Sequence, residues 1–236
     1  PIAVKTAPPS PQAIPEKTFT QEEVLAKCLE YFSGDELAAT TWMNKYAMKN
    51  KDGGYAEDSP ESMHLRMATQ FARIERKYGP ASEMGNKATF LSDYGQQRHP
   101  LTQDEIFDLF REFKYVIPQG SVMAALGNHH MLASLSNCVV IPEIHDSYGG
   151  IMYTDQQLVQ LFKRRCGVGI DLSTIRPSGE RVNNAAGSTS GAVSFMERFS
   201  NTTREVSQNG RRGALMITMD IAHPDVEDFI TIKQDL

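Results

Sequence analysis

The chain has 236 residues and a formal net charge of −5 at pH 7. This length allows one large domain, or a small domain joined to part of another. No apolar run approaches the roughly 20 residues of a bilayer-spanning helix, and the N-terminus lacks a basic segment followed by an apolar one. We therefore expect no membrane insertion and no secretion, and we predict a cytoplasmic protein. The acidic balance also argues against broad nucleic-acid binding, which needs a basic surface that displaces counterions from phosphates.

The cysteines and histidines predict no metal site in this chain. Cys28, Cys138 and Cys166 include no CxxC pair, so the sequence implies neither a disulfide framework nor a cysteine-based zinc site. His129 and His130 are adjacent, and no HExxH pattern is present. A functional cysteine here would therefore act as a reactive thiol.

The first half of the sequence predicts helices. Residues 1–17 contain five of the twelve prolines and are predicted to form a flexible arm. Residues 18–115 are predicted to form a helical domain, with an apolar stripe in the second helix that includes Leu37, Trp42 and Tyr46. Helix-capping residues precede acidic or apolar turns at four places: Thr18 or Thr20, Asp35, Ser59 and Thr102.

From residue 116 the pattern changes to alternating strands and helices. Four short apolar runs predict strands: YVIPQGSVMAAL, SNCVVIPEI, GVGIDLSTI and GALMITMDI. Helical segments are predicted at 154–165 and 191–208, and a further helix starts near Pro224. This alternation predicts an α/β architecture with partly parallel strands, and a small self-contained sheet is the alternative.

Two interpretations of Cys138 remain open from the residues alone. A cysteine in an apolar strand is most often a small buried hydrophobic residue. A thiol at the end of a strand in an α/β sheet instead faces the usual ligand crevice. Cys166 precedes Gly167 and Gly169, but this GxG follows a helix rather than opening one, which is the reverse of the dinucleotide-binding pattern.

Arginines form the one locally basic feature of this acidic chain. Guanidinium groups on glycine-containing loops suit phosphate recognition, although solvated arginines are an equally good interpretation for each one taken singly. The residues concerned are Arg164, Arg165, Arg176, Arg211 and Arg212.

Five motifs in chain order resemble the large catalytic subunit of ribonucleotide reductase: PQGSVMAALG, LSNCVVI, RRCGVGIDLSTIRPSG, STSGAVSFMERF and SQNGRRGALMITMDIAHPDVEDFI. The resemblance covers 116–236, and the region before it is similar to the family's N-terminal helical domain. It implies an α/β fold in which the helical domain is followed by the first half of a ten-stranded α/β barrel with specificity-site loops. It also implies reduction of ribonucleotides to deoxyribonucleotides by radical chemistry.

The resemblance assigns Cys138 as one cysteine of the family's redox pair, which reduces the sugar and becomes a disulfide. Cys166 stands where the family usually has a smaller residue, and it receives no redox role. Around Cys138, the resemblance implies substrate-binding roles for Gly120, Ser121, Ser136, Asn137 and Gly167.

The resemblance also implies a specificity site for dNTP or ATP effectors. Residues 176–188 correspond to the first specificity loop and 207–213 to the second. The matching effector-binding residues are Asp146, Arg176, Arg181, Ser207, Gln208, Arg211 and Arg212. No ATP-cone signature is present, so control of overall activity by ATP and dATP is not expected of this chain.

A homodimer is implied through the helices near 154–165 and 191–206. The apolar residues of these helices fit either that interface or an internal core. They are Leu158, Phe162, Val193 and Phe199.

The family's radical-bearing cysteine, its second redox cysteine and its shuttle cysteines lie downstream of the last residue here. The resemblance therefore implies a second polypeptide that completes the barrel, or a truncated piece of a longer protein. It implies a thioredoxin or glutaredoxin type of reductant. The radical source is either adenosylcobalamin, which the GDELAATTWMNKYAMKN segment favours slightly, or a metal-containing radical subunit. The choice between diphosphate and triphosphate substrates stays open, and a catalytically inactive dNTP-sensing protein is the alternative function.

Overall fold

The computed structural model of the protein describes residues 17–78, 92–206 and 213–234. The chain divides into two compact units. The helical unit comprises Pro1–Pro118 with Leu126–His130, and the sheet unit comprises Gln119–Ala125 with Met131–Leu236. The proline-rich arm predicted for residues 1–17 lies outside the described residues except for its last residue.

Helices make up the regular structure of the helical unit over its described residues. They are α1 (Gln21–Tyr31), α2 (Glu36–Lys45), α3 (Pro60–Glu75), α4 (Asp93–Gln97) and α5 (Gln103–Phe110), with 3-10 turns at Arg76–Tyr78 and Arg111–Phe113. The predicted caps at Thr20, Asp35, Ser59 and Thr102 are confirmed, since each side chain accepts a backbone hydrogen bond from the first turn. These bonds satisfy N–H groups that a helix start leaves without partners.

The apolar stripe predicted for the second helix is wrong at Leu37, which is 78% exposed. The buried face of α2 is formed by Ala39, Trp42 and Met43. Ala39 lies about 200° around the helix from Leu37, so the two side chains cannot share one face. Trp42 packs inside the unit, where its indole N–H points at Met63 Sδ at 3.3 Å.

The described part of the sheet unit contains three parallel strands, β1 (Cys138–Val140), β2 (Gly167–Asp171) and β3 (Leu215–Thr218), in the order β1-β2-β3. Parallel neighbours need crossover segments, and helices supply them. The helices of this unit are α6 (Gly120–Ala125), α7 (Tyr148–Phe162), α8 (Ser194–Glu205) and α9 (Val226–Thr231). The predicted alternation of strands and helices with parallel pairing is therefore confirmed.

One face of this sheet forms the core of the unit. Val168 and Ile170 of β2 pack with Leu158, Phe162 and Phe199 from α7 and α8. Burial of each large apolar side chain contributes about 1.5–3 kcal/mol. Leu158, Phe162 and Phe199 therefore belong to the internal core, which decides between the two roles that their sequence pattern allowed.

The strand predicted in YVIPQGSVMAAL is wrong, because the chain forms α6 at Gly120–Ala125. Pro118 lacks the N–H group that a strand ladder needs. After it, alanines with high helix propensity follow, and Met123, Ala124 and Ala125 become buried on the helix. The predicted strand at Gly120 and Ser121 is corrected with it: these two residues begin a helix.

Candidate functional site

The second face of the sheet is open and nearly bare of large side chains at its centre. Strand alternation places Cys138, Val140, Gly167, Gly169 and Met216 on this face, because the register pairs them across the strands. They line a groove of about 660 Å³, which we call the thiol groove. Two glycines at the middle strand leave the backbone accessible to a bound molecule.

Cys138 is the exposed cysteine of the three, whereas Cys28 and Cys166 are fully buried. The interpretation of Cys138 as a buried hydrophobic residue is therefore wrong. Burial raises the pKa of the Cys28 thiol to about 11, and burial also raises the pKa of Cys166. Thiolate formation is the step that makes a cysteine reactive, so these two thiols are the inert ones.

The residues around Cys138 are held by two specific contacts. Gly167 pairs with Cys138 across the strands, and a Cβ atom at Gly167 would lie 3.1 Å from Cys138 Sγ. The side-chain oxygen of Asn137 accepts a hydrogen bond of 2.7 Å from the backbone N–H of Ser121, at the start of α6. Ser121, Asn137, Cys138 and Gly167 are thus brought together.

Gly120 and Ser136 are chain neighbours of this cluster. Gly120 is the first residue of α6. Ser136 is exposed, and its backbone N–H donates to Ser134 Oγ at 3.0 Å. Ser136 is thus an exposed residue two positions before Cys138, and it is not part of the lining of the thiol groove.

Asp146 and Arg176 form an ion pair, with 2.7 Å between Asp146 Oδ2 and Arg176 Nε. Two contacts bring their segments together. Thr174 Oγ1 donates to the carbonyl oxygen of Ile144 at 2.6 Å. At Gly150, a Cβ atom would lie 2.2 Å from the carbonyl oxygen of His145, so only glycine permits the tight approach of α7 to this segment.

A pocket of about 310 Å³ lies at this ion pair, and we call it the loop pocket. The loop at 176–192 supplies one wall, with Val182, Asn183, Asn184 and Thr189, while Tyr148 and Phe195 meet edge to face beside it. Arg176 Nη1 donates to the carbonyl oxygen of Arg181 at 3.4 Å, and Arg181 pairs with Ser188 in an isolated antiparallel bridge. The Arg181 residue itself is exposed.

Four further candidates for effector binding, Ser207, Gln208, Arg211 and Arg212, lie outside the described residues. Of the remaining arginines in the basic theme, Arg164 donates to the carbonyl oxygen of Gln160 at the end of α7. Arg176 is thus the arginine of this theme that lines the loop pocket in the described chain.

Sequence reasoning missed two buried polar residues next to the loop. His223 is 8% exposed and Asp225 is 6% exposed. The Asp225 carboxylate accepts from the backbone N–H groups of Ser178 and Ala192. The sequence signal is the His-Pro-Asp run at 223–225, a few residues after β3, which carries polar groups into a buried turn. The pattern of the sequence predicts only a helix start near Pro224.

Within 17–78, 92–206 and 213–234, no three His, Cys, Asp or Glu side chains converge as a metal site would require. Over the same residues, no helix combines the length and the apolar character needed to cross a membrane.

The comparisons with known proteins agree with this architecture. Residues 32–129 match the ribonucleotide reductase all-alpha domain, and residues 136–236 match the ribonucleotide reductase barrel domain. The chain therefore belongs to the ribonucleotide reductase large-subunit family. Its fold is the helical N-terminal domain followed by part of the α/β barrel domain.

Curated relatives carry related names. The "Vitamin B12-dependent ribonucleoside-diphosphate reductase" of Mycobacterium tuberculosis (strain CDC 1551 / Oshkosh) is 31% identical over 199 residues, which is 84% of this chain and 26% of the relative. The protein of the same name from Thermoplasma acidophilum is 27% identical over 226 residues, covering 80% of this chain and 29% of the relative. The "Ribonucleoside-diphosphate reductase large chain 2" of Saccharomyces cerevisiae is 31% identical over 102 residues, which is 42% of this chain and 12% of the relative. The match thus spans between 12% and 29% of each relative's length.

Proposed function

We propose that this chain is the part of a ribonucleotide reductase that carries one redox-active cysteine, part of the substrate site and the specificity site for dNTP. The observation that carries this proposal is the position of Cys138. Its thiol is exposed on an open parallel sheet, in a groove lined by glycine backbone and apolar side chains. Membership of the reductase family supplies the reaction class.

The chemistry proposed for Cys138 is the donation of reducing equivalents to the ribose. Two thiols lose two electrons and two protons and form one disulfide bond. The C2′–O bond of the ribose breaks, the hydroxyl group takes one proton and leaves as water, and the two electrons with the second proton form the new C2′–H bond. Cys138 supplies one thiol, and the second thiol and the thiyl-radical cysteine come from a further part of the protein or from a second polypeptide. A thioredoxin or glutaredoxin type of protein then reduces the disulfide.

The residues around the thiol are proposed to hold the ribonucleotide. Gly167 leaves room beside Cys138, so the sugar can approach the thiol closely. Asn137 and Ser121 are coupled through their hydrogen bond, which fixes the amide beside the groove. Ser136 offers an exposed hydroxyl group. Gly120 is the first residue of α6, next to Ser121, whose N–H group bonds Asn137.

The loop pocket is proposed as the specificity site for dNTP or ATP. Arg176 offers a guanidinium fork for phosphate oxygens, and Asp146 accepts hydrogen bonds from a deoxyribose hydroxyl group. Five further residues are proposed to bind the effector because they resemble the family's loop residues: Arg181, Ser207, Gln208, Arg211 and Arg212. A dNTP needs only about 1–3 kcal/mol of coupling to favour one loop arrangement over another.

Adenosylcobalamin is the proposed radical source, because curated relatives are named vitamin B12-dependent. The thiol groove does not fit a corrin site by itself, since its lining includes one thiol and no imidazole group. We therefore assign the binding of that cofactor to the rest of the protein, and no step of the chemistry above passes through it. A metal-containing radical subunit is the competing source.

The assembly is proposed to be a cytoplasmic homodimer that uses the outward faces of α7 and α8. The inward residues of these helices are occupied by the core of the sheet unit. The outward face carries polar pairs, among them Arg198 Nη2 with Asp155 Oδ2 at 2.8 Å.

The substitution Cys138→Ala tests the proposed reaction in the intact protein that carries this chain. Turnover of ribonucleoside diphosphates and triphosphates is measured with adenosylcobalamin and a dithiol reductant, and dNTP binding is measured in parallel. We expect loss of turnover with unchanged dNTP affinity. If the wild-type protein binds dNTP but reduces no ribonucleotide under any of these conditions, the dNTP-sensing alternative replaces the reductase. The loop pocket is the observation that favours that alternative.

A further inference from the structure

We infer that Asp225 is a positioning residue for the loop at 176–192, and that its carboxylate sets the affinity of the loop pocket for dNTP. The inference rests on the proposed function of that pocket. Asp225 lines neither the loop pocket nor the thiol groove. It acts instead through hydrogen bonds to the backbone at the two ends of the loop.

The carboxylate of Asp225 joins the two ends of the loop. The N–H group of Ser178 donates to Oδ1 at 3.0 Å and to Oδ2 at 3.1 Å, and the N–H group of Ala192 donates to Oδ2 at 3.0 Å. Burial of a carboxylate is costly unless hydrogen bonds compensate it. Because Asp225 is 6% exposed, these two N–H groups are the compensation, and separation of the loop ends would leave the charge buried and unpaired.

Asp225 stands directly before α9, where an aspartate ordinarily caps its own helix. Here its side chain makes no capping bond to α9. The carboxylate is turned to the loop instead. Asp225 thus makes hydrogen bonds to the loop in place of the usual capping bond to its own helix.

Gly191 has the geometry that this contact requires. Its φ is +85°, in the left-handed region that glycine adopts without strain. A Cβ atom at this position would lie 2.6 Å from Asp225 Oδ2 and 2.6 Å from the backbone nitrogen of Ser178. A larger residue would therefore push apart the groups that the carboxylate joins.

His223 extends the anchor to the residue before Arg176. Its Nδ1 accepts from the N–H group of Asp225 at 3.1 Å, so Nε2 carries the proton and donates to the carbonyl oxygen of Ile175 at 2.8 Å. His223 and Asp225 thus hold the backbone on both sides of Arg176, at Ile175 and at Ser178. The direction in which Arg176 leaves the chain is fixed by these bonds.

The loop between the two anchored ends folds as a hairpin that carries the pocket wall. The N–H group of Gly179 donates to Thr189 O at 3.0 Å, and the N–H group of Thr189 donates to Glu180 O at 2.9 Å. Asn183 and Asn184 follow on this hairpin and line the loop pocket. A change at the base is therefore transmitted to the wall that meets the ligand.

The test compares Asp225→Asn with Asp228→Asn in the intact protein that carries this chain. Asp228 is an exposed carboxylate on α9 and matches the charge change without touching the loop. An asparagine at 225 offers one acceptor oxygen and turns an NH₂ group to the other donor. We expect the Kd for dTTP or dATP to rise about 10-fold in Asp225→Asn, which corresponds to about 1.4 kcal/mol, and to stay at the wild-type value in Asp228→Asn.

A positioning role is separated from general damage by saturation with effector. In Asp225→Asn, saturating dNTP should restore effector-dependent turnover, because the loop can still be driven into place by ligand. Damage to the unit as a whole would lower turnover at every dNTP concentration. Equal Kd values for the two variants, or failure of rescue by saturating dNTP, would overturn the inference. Absence of dNTP binding by the wild-type protein would overturn the proposed function instead.

A measurement on the wild-type protein covers the case in which Asp225→Asn fails to fold. Amide hydrogen exchange at Ser178 and Ala192 should be slow without nucleotide, and exchange at Asn184 near the loop tip should be faster. Exchange at Ser178 and Ala192 as fast as at Asn184 would contradict an anchored base.

Discussion

Cys138 and Gly167 are paired across neighbouring strands, and the thiol lies directly against the glycine. A Cβ atom at Gly167 would be 3.1 Å from Cys138 Sγ and 3.4 Å from the carbonyl oxygen of Asn137. The distance to Sγ is tighter than ordinary packing, so the thiol keeps its position because no side chain stands at residue 167. The relationship leads to two predictions about the thiol groove.

Gly167→Ala should displace the thiol, whereas Gly169→Ala should not. The added methyl group at Gly169 meets Val140 at 3.4 Å, which is an ordinary contact, and both glycines lie on the same face of β2. We expect turnover of the intact protein to fall about 10-fold in Gly167→Ala, because small misplacements of a reacting group are costly. Steady-state kinetics of both variants measure this. Equal losses would mean that strand flexibility matters rather than the position of the thiol.

Thiol titration should find one fast-reacting cysteine among the three of this chain. Two of the three are fully buried. In the intact protein that carries this chain, we expect Cys138→Ser to remove one rapidly reacting equivalent of an aromatic disulfide reagent. Cys28→Ser should remove none, and each variant should lose one equivalent in guanidinium chloride. An unchanged fast phase in Cys138→Ser would contradict an accessible thiol at this position.

The ion pair between Asp146 and Arg176 should matter for dNTP binding and little for stability. Both side chains are about one-third exposed, and pairs of this kind contribute at most about 1 kcal/mol to folding. We expect Arg176→Gln to weaken dNTP binding about 10-fold or more, with an unfolding free energy near that of the wild type. Isothermal titration and urea unfolding give the two quantities.

Arg164→Gln is the matched control for Arg176→Gln. It removes an arginine from the same basic theme, and this arginine bonds Gln160 at the end of α7 rather than lining the loop pocket. Unchanged dNTP affinity is expected. An equal loss in both variants would indicate a diffuse electrostatic effect rather than a site at Arg176.

His64 should make the helical unit sensitive to acid. The residue is fully buried against Phe110 and Phe113, and neither of its ring nitrogens has a hydrogen-bond partner among the described residues. Burial lowers the pKa of His64 from 6.5 to about 4. In this window the unfolded state binds the proton and the folded state does not, so stability falls as the pH drops from 6.5 toward 4, by up to about 3 kcal/mol.

Urea unfolding followed by the fluorescence of Trp42 measures this effect, because Trp42 is the single tryptophan and is buried in the helical unit. His64→Leu should remove this part of the pH dependence. His99→Gln should retain it, because His99 is exposed. Identical pH profiles for wild type and His64→Leu would show that protonation of His64 is not the cause.

Local features of the fold were predictable because neighbouring residues decide them. Thr20 and Glu23 form a capping box within one turn, and Ser59 with Pro60 starts α3 in the same local way. The helix predicted at 154–165 begins earlier, at Tyr148. Two glycines, Gly149 and Gly150, lie in its first turn, and their low helix propensity obscures the start in the sequence.

The candidate site was predictable only in part. The motifs around Cys138 and Arg176 identified these residues by resemblance to a family. The resemblance implied that Cys138 faces the sugar, whereas the residue type alone favoured burial. The face of a strand on which a residue lies depends on which side the helices cover, and that is a property of packing.

The sequence by itself determined the capped helices, the alternation of strands with helices, and the family to which the motifs point. These depend on contacts within a few residues or on recognisable runs of residues. Only the tertiary structure decided that Cys138 faces an open groove, that Asp146 meets Arg176, and that Asp225 holds both ends of one loop. Such relationships join residues 30 or more positions apart, as for Arg176 with Asp146 and Ser178 with Asp225. These contacts form only when distant parts of the chain come together and are buried, so a local sequence pattern does not specify them.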